Sequence, residues 1–344
     1  MYSVEKVAVN DKEFTVIEVS QTKIKVSFLD YGATIYKLFV PDKNNIMENV
    51  VVTYKSLTSY LQNEMYLNAI IGPTSGRIKN ATFKIDNTEY TVDKNFLNSE
   101  NLHGGNESFA FKFFDYEIID SDQETKVLFT LFKKAENSLY PGNQTIKIIY
   151  TVKGGSLLIE FKATTDQDTL LNLTSHAYFN LSGNLKTNIL EHYLYVASST
   201  YLQLDETFVP YKICNNKNTR FDFLKNKKIK DNFFEGIYDL KTKGIDEPFL
   251  LDKTSFNICQ VEYYDPKSKR ILKVYTTYPS IVIYTHNYPD HKGLINDVKH
   301  EKHLGICFEA QLEPNGINLE GLNDGILRKN KPYYHKTLYQ FSVK

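Results

Sequence analysis

A large antiparallel β-sandwich is the fold class this sequence predicts, and three observations predict it. Short apolar runs alternate with period two, and Gly, Asn, Asp and Pro clusters punctuate them. The regular helices that a parallel α/β sheet would need between its strands are missing. The first clear run is Lys23–Leu29 (KIKVSFL), with Ile24, Val26 and Phe28 on one face. Thr34–Val40 follows, and then Ser56–Asn63 (SLTSYLQN), which reads as one short helix opened by a Ser cap. Arg77–Phe83 is an alternating strand after a glycine-rich turn. Lys126–Phe132, Thr145–Val152, Leu157–Ala163, Leu171–Leu181, Ile271–Thr276, Ile281–Thr285 and Gly305–Gln311 are further strands. The last is followed by a turn at Glu313, Pro314, Asn315 and Gly316. The 344 residues contain no repeat, low-complexity tract or Pro/Ser-rich linker, so one domain over residues 1–344 is the simplest organisation.

Composition narrows the function. Lys and Arg total 41 and Asp and Glu total 41, so the chain has no electrostatic footprint for nucleic acid or an acidic membrane. The basic run Lys225–Lys230 (KNKKIK) reads as a solvated loop. No stretch approaches the roughly 18 apolar residues of a membrane span, and MYSVEKVAVNDKEF shows no basic region followed by an apolar run, so neither a membrane span nor a signal peptide is expected. The three cysteines, Cys214, Cys259 and Cys307, form neither a disulfide framework nor a zinc motif. A cytoplasmic protein is the expectation. There are 25 Tyr and 22 Phe but no Trp, so any ring that stacks on a ligand is Tyr, Phe or His. Only Arg77, Arg220, Arg270 and Arg328 are arginines among the basic residues, so each invites a specific role.

Chemistry concentrates in five segments. In LNLTSHAYFNL (171–181), a strand period puts Asn172, Thr174, His176, Tyr178 and Asn180 on one face and a nearly apolar set on the other. A polar row with an aromatic in it suits a sugar, whose hydroxyls need donors and acceptors and whose C–H face needs a ring. In GICFEAQ (305–311), Cys307, Glu309 and Gln311 share a face, and partial burial would make Glu309 a better base. NLHGG (101–105) permits a tight turn that brings His103 and backbone close to a ligand. Arg77, in GPTSGRIKNATF, is a candidate hydroxyl clamp, and Asp246, in GIDEPFLL, a candidate hydroxyl acceptor. A phosphate loop, a G-x-S-x-G elbow and H-E-x-x-H are all absent. His286, His291, His300 and His303 cluster without metal-ligand spacing, so no metal is expected.

Taken in order, NLHGG, GRIKNATF, SLYPGN (138–143), NLTSHAYFNLSG (172–183), GIDEPFLL and ICFEAQ followed by Pro314 resemble the aldose 1-epimerase (galactose mutarotase) family from about Phe28 to the C-terminus. The resemblance implies a large antiparallel β-sandwich with a sugar cleft on one sheet, no cofactor, and interconversion of the α and β anomers of a free aldose through its open chain. It implies Glu309 as general base at the anomeric hydroxyl and His176 as general acid at the ring oxygen, reaching the sugar from opposite sides. It implies that His103 binds near the ring oxygen or anomeric end and that Arg77 and Asp246 hold the remaining hydroxyls, with Tyr178 and Gln311 beside them on the polar faces. The chain departs from the family pattern at Pro73, Gly76, Glu247 and Ile283, the last expected at the cleft wall in place of an aromatic ring.

Three rival readings remain at this level. They are a non-catalytic sugar-binding or sugar-sensing sandwich, an epimerase for an oligosaccharide or sugar phosphate, and a glycosidase. The last would need two flanking carboxylates where this chain offers a carboxylate and an imidazole.

Overall fold

The computed structural model describes residues 1–232 and 242–344. Three antiparallel sheets dominate it. Tyr2–Val9, Lys12–Gln21, Ile24–Leu29, Thr34–Pro41 and Met47–Asn49 form a five-stranded meander. A nine-stranded sheet runs from Asp115–Asp120 through Gln144–Lys153, Ser156–Thr165, Tyr333–Val343 and Arg270–Thr276 to Lys227–Lys228. A six-stranded sheet is ordered Tyr178–Phe179, Ile306–Gln311, Ser280–Tyr284, Asp246–Leu250, Thr200–Leu204 and Pro210–Asn215.

The alternation explains the layering. Phe308, Ala310, Ile281, Ile283 and Phe249 of the six-stranded sheet meet Phe161, Leu272, Val274, Tyr339 and Phe341 of the nine-stranded one in one buried cluster. The meander adds Ile17, Val26, Phe28 and Leu38 to the same cluster. Phe179 lies edge-on to Tyr339 with ring centroids 4.9 Å apart, and Phe28 lies 4.6 Å from Tyr150. The opposite face of the six-stranded sheet is then left to carry Glu309, Gln311, Val282, Tyr284, Asp246 and Pro248 into a cavity.

Apart from Leu171–Leu181 and Arg77–Phe83, the predicted runs appear as strands whose ends shift by a residue or two, some longer and some, such as Ile24–Leu29 and Ile306–Gln311, one residue shorter. Ser56 caps a 3-10 helix at Leu57–Gln62, its hydroxyl accepting the Thr58 N–H at 3.2 Å. Two expectations need correction. Leu171–Leu181 is not one strand. Its two-residue pieces pair with different partners, Thr174–Ser175 with Ile70–Ile71 and Tyr178–Phe179 with Ile306–Cys307. Arg77–Phe83 is broken after Ile78 by Asn80 (φ 55°) and Ala81 (φ 54°), where Lys79 N–H meets the Asn315 side chain. In the basic run, Lys227–Lys228 is an edge strand, and Lys228 and Lys230 pair with Glu191 at 3.0 and 2.5 Å.

Candidate active site

The cavity on the outer face of the six-stranded sheet has a volume of about 380 Å³. That is enough for a small polar ligand. Its floor is made by neighbouring strands in register. Glu309 faces Val282, and Val282 faces Pro248. Asp246 lies one row along, opposite Tyr284. The walls come from loops carrying Tyr66, Gly76, Arg77, Phe96, His103 and Phe208.

His103 stands at φ 53°, followed by Gly104 at 82° and Gly105 at 61°. A Cβ on Gly104 would lie 2.7 Å from Pro73 Cδ and 2.8 Å from the Gly72 carbonyl oxygen, so the turn needs glycine there. The Gly76 N–H donates to His103 Nδ1 at 3.2 Å. An imidazole that accepts on Nδ1 carries its proton on Nε2, so His103 offers an N–H donor. Burial, with His176 and Arg77 nearby, pushes its pKa well below the usual histidine value, which keeps it neutral.

His176 is held differently. Its backbone N–H donates to Ala69 and its carbonyl accepts from Asn68 N–H at 3.1 Å. The ring stacks on Tyr178 with centroids 5.1 Å apart and meets His103 edge-on at 5.3 Å. Its Nδ1 lies 3.5 Å from Cys307 Sγ, and its Nε2 lies 3.4 Å from Glu309 Oε1. The carboxylate and imidazole are therefore side by side, which corrects the expectation that they reach a sugar from opposite sides. Adjacency suits the chemistry, because the anomeric hydroxyl and the ring oxygen are both bonded to C1. Burial lowers the His176 pKa to about 4. Burial and the nearby Asp246 raise that of Glu309 well above the carboxylate range, against the pull of Arg77. Both shifts favour the uncharged forms, so the carboxyl holds its proton to a higher pH than usual and the imidazole stays neutral beside it.

Arg77 Nη2 lies 3.5 Å from Asp246 Oδ2. Its guanidinium is 4.5 Å from the Phe96 ring and 5.6 Å from the Phe208 ring. Among the described residues, Arg77 Nε is buried without a hydrogen-bond partner, as are both polar side-chain atoms of Gln311, so donors and acceptors stand ready at the cavity. Burial raises the Asp246 pKa to about 6, opposed by Arg77.

Every sequence-predicted site residue lines this one cavity: His103, His176, Glu309, Arg77, Asp246, Tyr178 and Gln311. Tyr178 needs qualification. Its hydroxyl donates to the Met65 carbonyl at 2.8 Å, so it supports His176 more than it offers a hydroxyl to a ligand. The rest of the polar row on 171–181 does not face the cavity. Asn172, Thr174 and Asn180 bond backbone carbonyls of Leu312, Ala310 and Leu304. Ile283 is not on the cleft wall but in the core between the sheets, and its neighbours Val282 and Tyr284 take the wall instead. Glu247 also turns away from the cavity, and its carboxyl accepts the Asp246 N–H at 2.8 Å. Sequence reasoning missed Tyr66, Phe96 and Phe208, which sit in loops without periodicity. Cys307 shares a strand face with Glu309, a relation the period of two made legible.

His103, His176 and Glu309 each present one atom within 4.8 Å of the others, the outline of a two-histidine, one-carboxylate metal face. His103 does not fit that use. A ligating histidine donates its second nitrogen to an acceptor, whereas His103 Nδ1 accepts Gly76 N–H and keeps the proton on Nε2.

With this geometry in place, comparison with known proteins is decisive. The family model described as aldose 1-epimerase matches residues 15–340. The chain belongs to the aldose 1-epimerase family. It is 32% identical to human galactose mutarotase over 323 residues, which is 93% of this chain and 92% of that one. It is 31% identical to the Haemophilus influenzae aldose 1-epimerase over 327 residues, 94% of each chain. Galactose 1-epimerase from Lactobacillus acidophilus superposes with a TM-score of 0.88 at 25% identity, covering 100% of this chain and 99% of that chain. An aldose epimerase homologue from C. elegans gives 0.87 at 25% identity, over 96% of this chain and 99% of that one. The protein is thus an isomerase of the aldose 1-epimerase class, and a non-catalytic sugar-binding reading is not favoured.

Proposed function

We propose that this enzyme anomerises a free hexose, glucose or galactose, with Glu309 and His176 moving the protons. The observation that carries the assignment is the 3.4 Å contact between Glu309 Oε1 and His176 Nε2 on the floor of the cavity. When the proton of the resting pair sits on the imidazole, Glu309 is a carboxylate. It takes the proton from the anomeric hydroxyl as C1=O forms and the bond from C1 to the ring oxygen breaks, while Nε2–H protonates that oxygen. Rotation about C1–C2 presents the other face of the aldehyde. Closure then runs the transfers backwards: Nε2 takes the proton of the attacking hydroxyl and Glu309 returns one to the new anomeric oxygen. His103 acts as a fixed N–H donor beside them. Arg77, Asp246 and Gln311 bind the remaining hydroxyls.

Polarimetry of fresh α-glucose and α-galactose tests this. Acceleration over buffer is expected, and Glu309→Gln should lower kcat by about 10²–10⁴-fold, the usual worth of general acid–base catalysis. Full activity in that variant defeats the assignment. The pH profile is a second check. Because His176 gains its own proton only near pH 4, kcat should hold through the range where an ordinary histidine titrates. It should fall below about pH 4, where imidazole and carboxyl are both protonated and no base remains.

We further propose that residues 1–344 act as one domain, supported by the single apolar cluster that joins all three large sheets. A cytoplasmic location is supported by three free thiols.

A further inference from the structure

We infer that Cys307 is a positioning residue for this reaction: its sulfur accepts a hydrogen bond from His176 Nδ1–H and so reserves Nε2 as the nitrogen that carries the proton to and from the sugar. The inference rests on the roles proposed above for His176 and Glu309.

The geometry comes from one strand. Cys307 and Glu309 are two apart on Ile306–Gln311 and so share a face. The His176 ring spans them, Nδ1 at 3.5 Å from the sulfur and Nε2 at 3.4 Å from the carboxylate. A neutral imidazole has one donor and one acceptor, so these two contacts are coupled. If Nδ1 holds the proton, sulfur is its acceptor and Nε2 turns a lone pair toward the carboxyl. That is the state in which Nε2 can take a proton from Glu309 or from a sugar hydroxyl, and later give it back. If Nε2 held the proton in the neutral ring, delivering it to the ring oxygen would leave an imidazolate, which is not accessible in water-like conditions.

His103 supplies the contrast. There a backbone N–H from Gly76 donates to Nδ1 and keeps the ring in the opposite tautomer, a donor that does not shuttle. Two imidazoles 5.3 Å apart are thus given different duties by the group behind each Nδ1. Sulfur is a weak acceptor. It has no exposed surface here, and burial also pushes the thiol pKa well up, so it stays a neutral partner.

The test reads the tautomer directly. Nitrogen-15 NMR of the sugar-free enzyme should show His176 protonated on Nδ1. Cys307→Ala should give a mixture of tautomers and lower kcat by about 3–10-fold, the worth of one neutral hydrogen bond, with KM little changed. Cys307→Ser keeps an acceptor and should restore both the tautomer and most of kcat, which a merely space-filling role would not require. His176 protonated on Nε2 in the unmodified enzyme, or Cys307→Ala with unchanged tautomer and kcat, overturns the inference. The NMR reading needs neither sugar nor turnover. A fully active Glu309→Gln variant would therefore remove the catalytic reading while leaving the tautomer result to stand by itself.

Discussion

Gln311 has no exposed surface, yet among the described residues neither polar atom of its side chain has a hydrogen-bond partner. A buried amide in that condition costs the free protein roughly 1–3 kcal/mol. A sugar hydroxyl in the cavity would restore the missing bonds, so the cost is returned on binding. Gln311→Met should therefore raise the melting temperature of the free enzyme and raise KM, with kcat nearly unchanged. Melting curves with and without galactose, together with polarimetry, check both halves. Glu247 gives a separate prediction about pH. Burial lifts its carboxyl from the ordinary 4.5 to about 8, so it is neutral in the folded chain near pH 7. The unfolded chain ionises it first. The stability it contributes is whole below pH 4.5 and is lost as pH rises toward about 8. Glu247→Gln removes that loss. Urea unfolding should show little change at about pH 5 and a gain on the order of 3 kcal/mol at about pH 8.

At the scale of elements, the loops that wall the cavity meet the turn after Ile306–Gln311. Gly76 sits at φ 71°, and a Cβ there would lie 2.6 Å from Pro314 Cβ. Its N–H also holds His103, and the next residue is Arg77. Gly76→Ala should cost about 1–2 kcal/mol of stability through backbone strain. It should also lower kcat/KM, because both wall residues shift, and denaturation and polarimetry on one preparation measure the two effects. The same region shows what sequence can and cannot reveal. In 171–181 the alternation of faces was legible in part: Leu171, Leu173, Ala177, Phe179 and Leu181 are in the core and His176 and Tyr178 face the cavity, but Asn172, Thr174 and Asn180 bond backbone carbonyls instead. Its continuity was not legible, because period two reports which face a residue takes and is silent about its partners, which change from Ile70–Ile71 to Ile306–Cys307. Glu309 was visible through its strand face and its motif. The break at Asn80 and Ala81 was not, because it is held by distant groups: the Glu100 carboxylate accepts Asn80 N–H, and the Asn315 side chain accepts Lys79 N–H. Phe96 and Phe208 were hidden for the same reason, coming from separate loops that meet only over Arg77.

At the scale of the molecule, the question is what locks the five-stranded meander to the sheets that carry the site. Apolar contact through the shared core is one part. Arg270 is another. It is 1% exposed, at the start of a strand of the nine-stranded sheet, and it reaches into the meander. Its Nη2 lies 3.0 Å from Glu48 Oε2 and 3.1 Å from the Ile46 carbonyl, its Nε bonds the Val40 carbonyl and its Nη1 bonds the Leu181 carbonyl, at the end of the segment that carries His176. Three pieces of chain therefore converge on one guanidinium. Removing it leaves a buried carboxylate and three carbonyls short of a donor. Lys186 also pairs with Glu48 and would offset part of that loss. Arg270→Met should cost about 3–5 kcal/mol, as breaking one side of a buried pair does. Arg270→Met with Glu48→Met should recover only part of it, since the bonds from the guanidinium to the carbonyls are still lost, although the Ile46 carbonyl keeps the Asp42 N–H and that of Leu181 the Ser268 hydroxyl. Arg270 lines no part of the cavity, so below the melting range kcat should stay near the parent value in both variants. Urea unfolding followed by far-UV dichroism gives the first quantity and polarimetry the second. A fall in kcat without a fall in stability would mean that the meander positions the site directly, rather than by holding the sheets together.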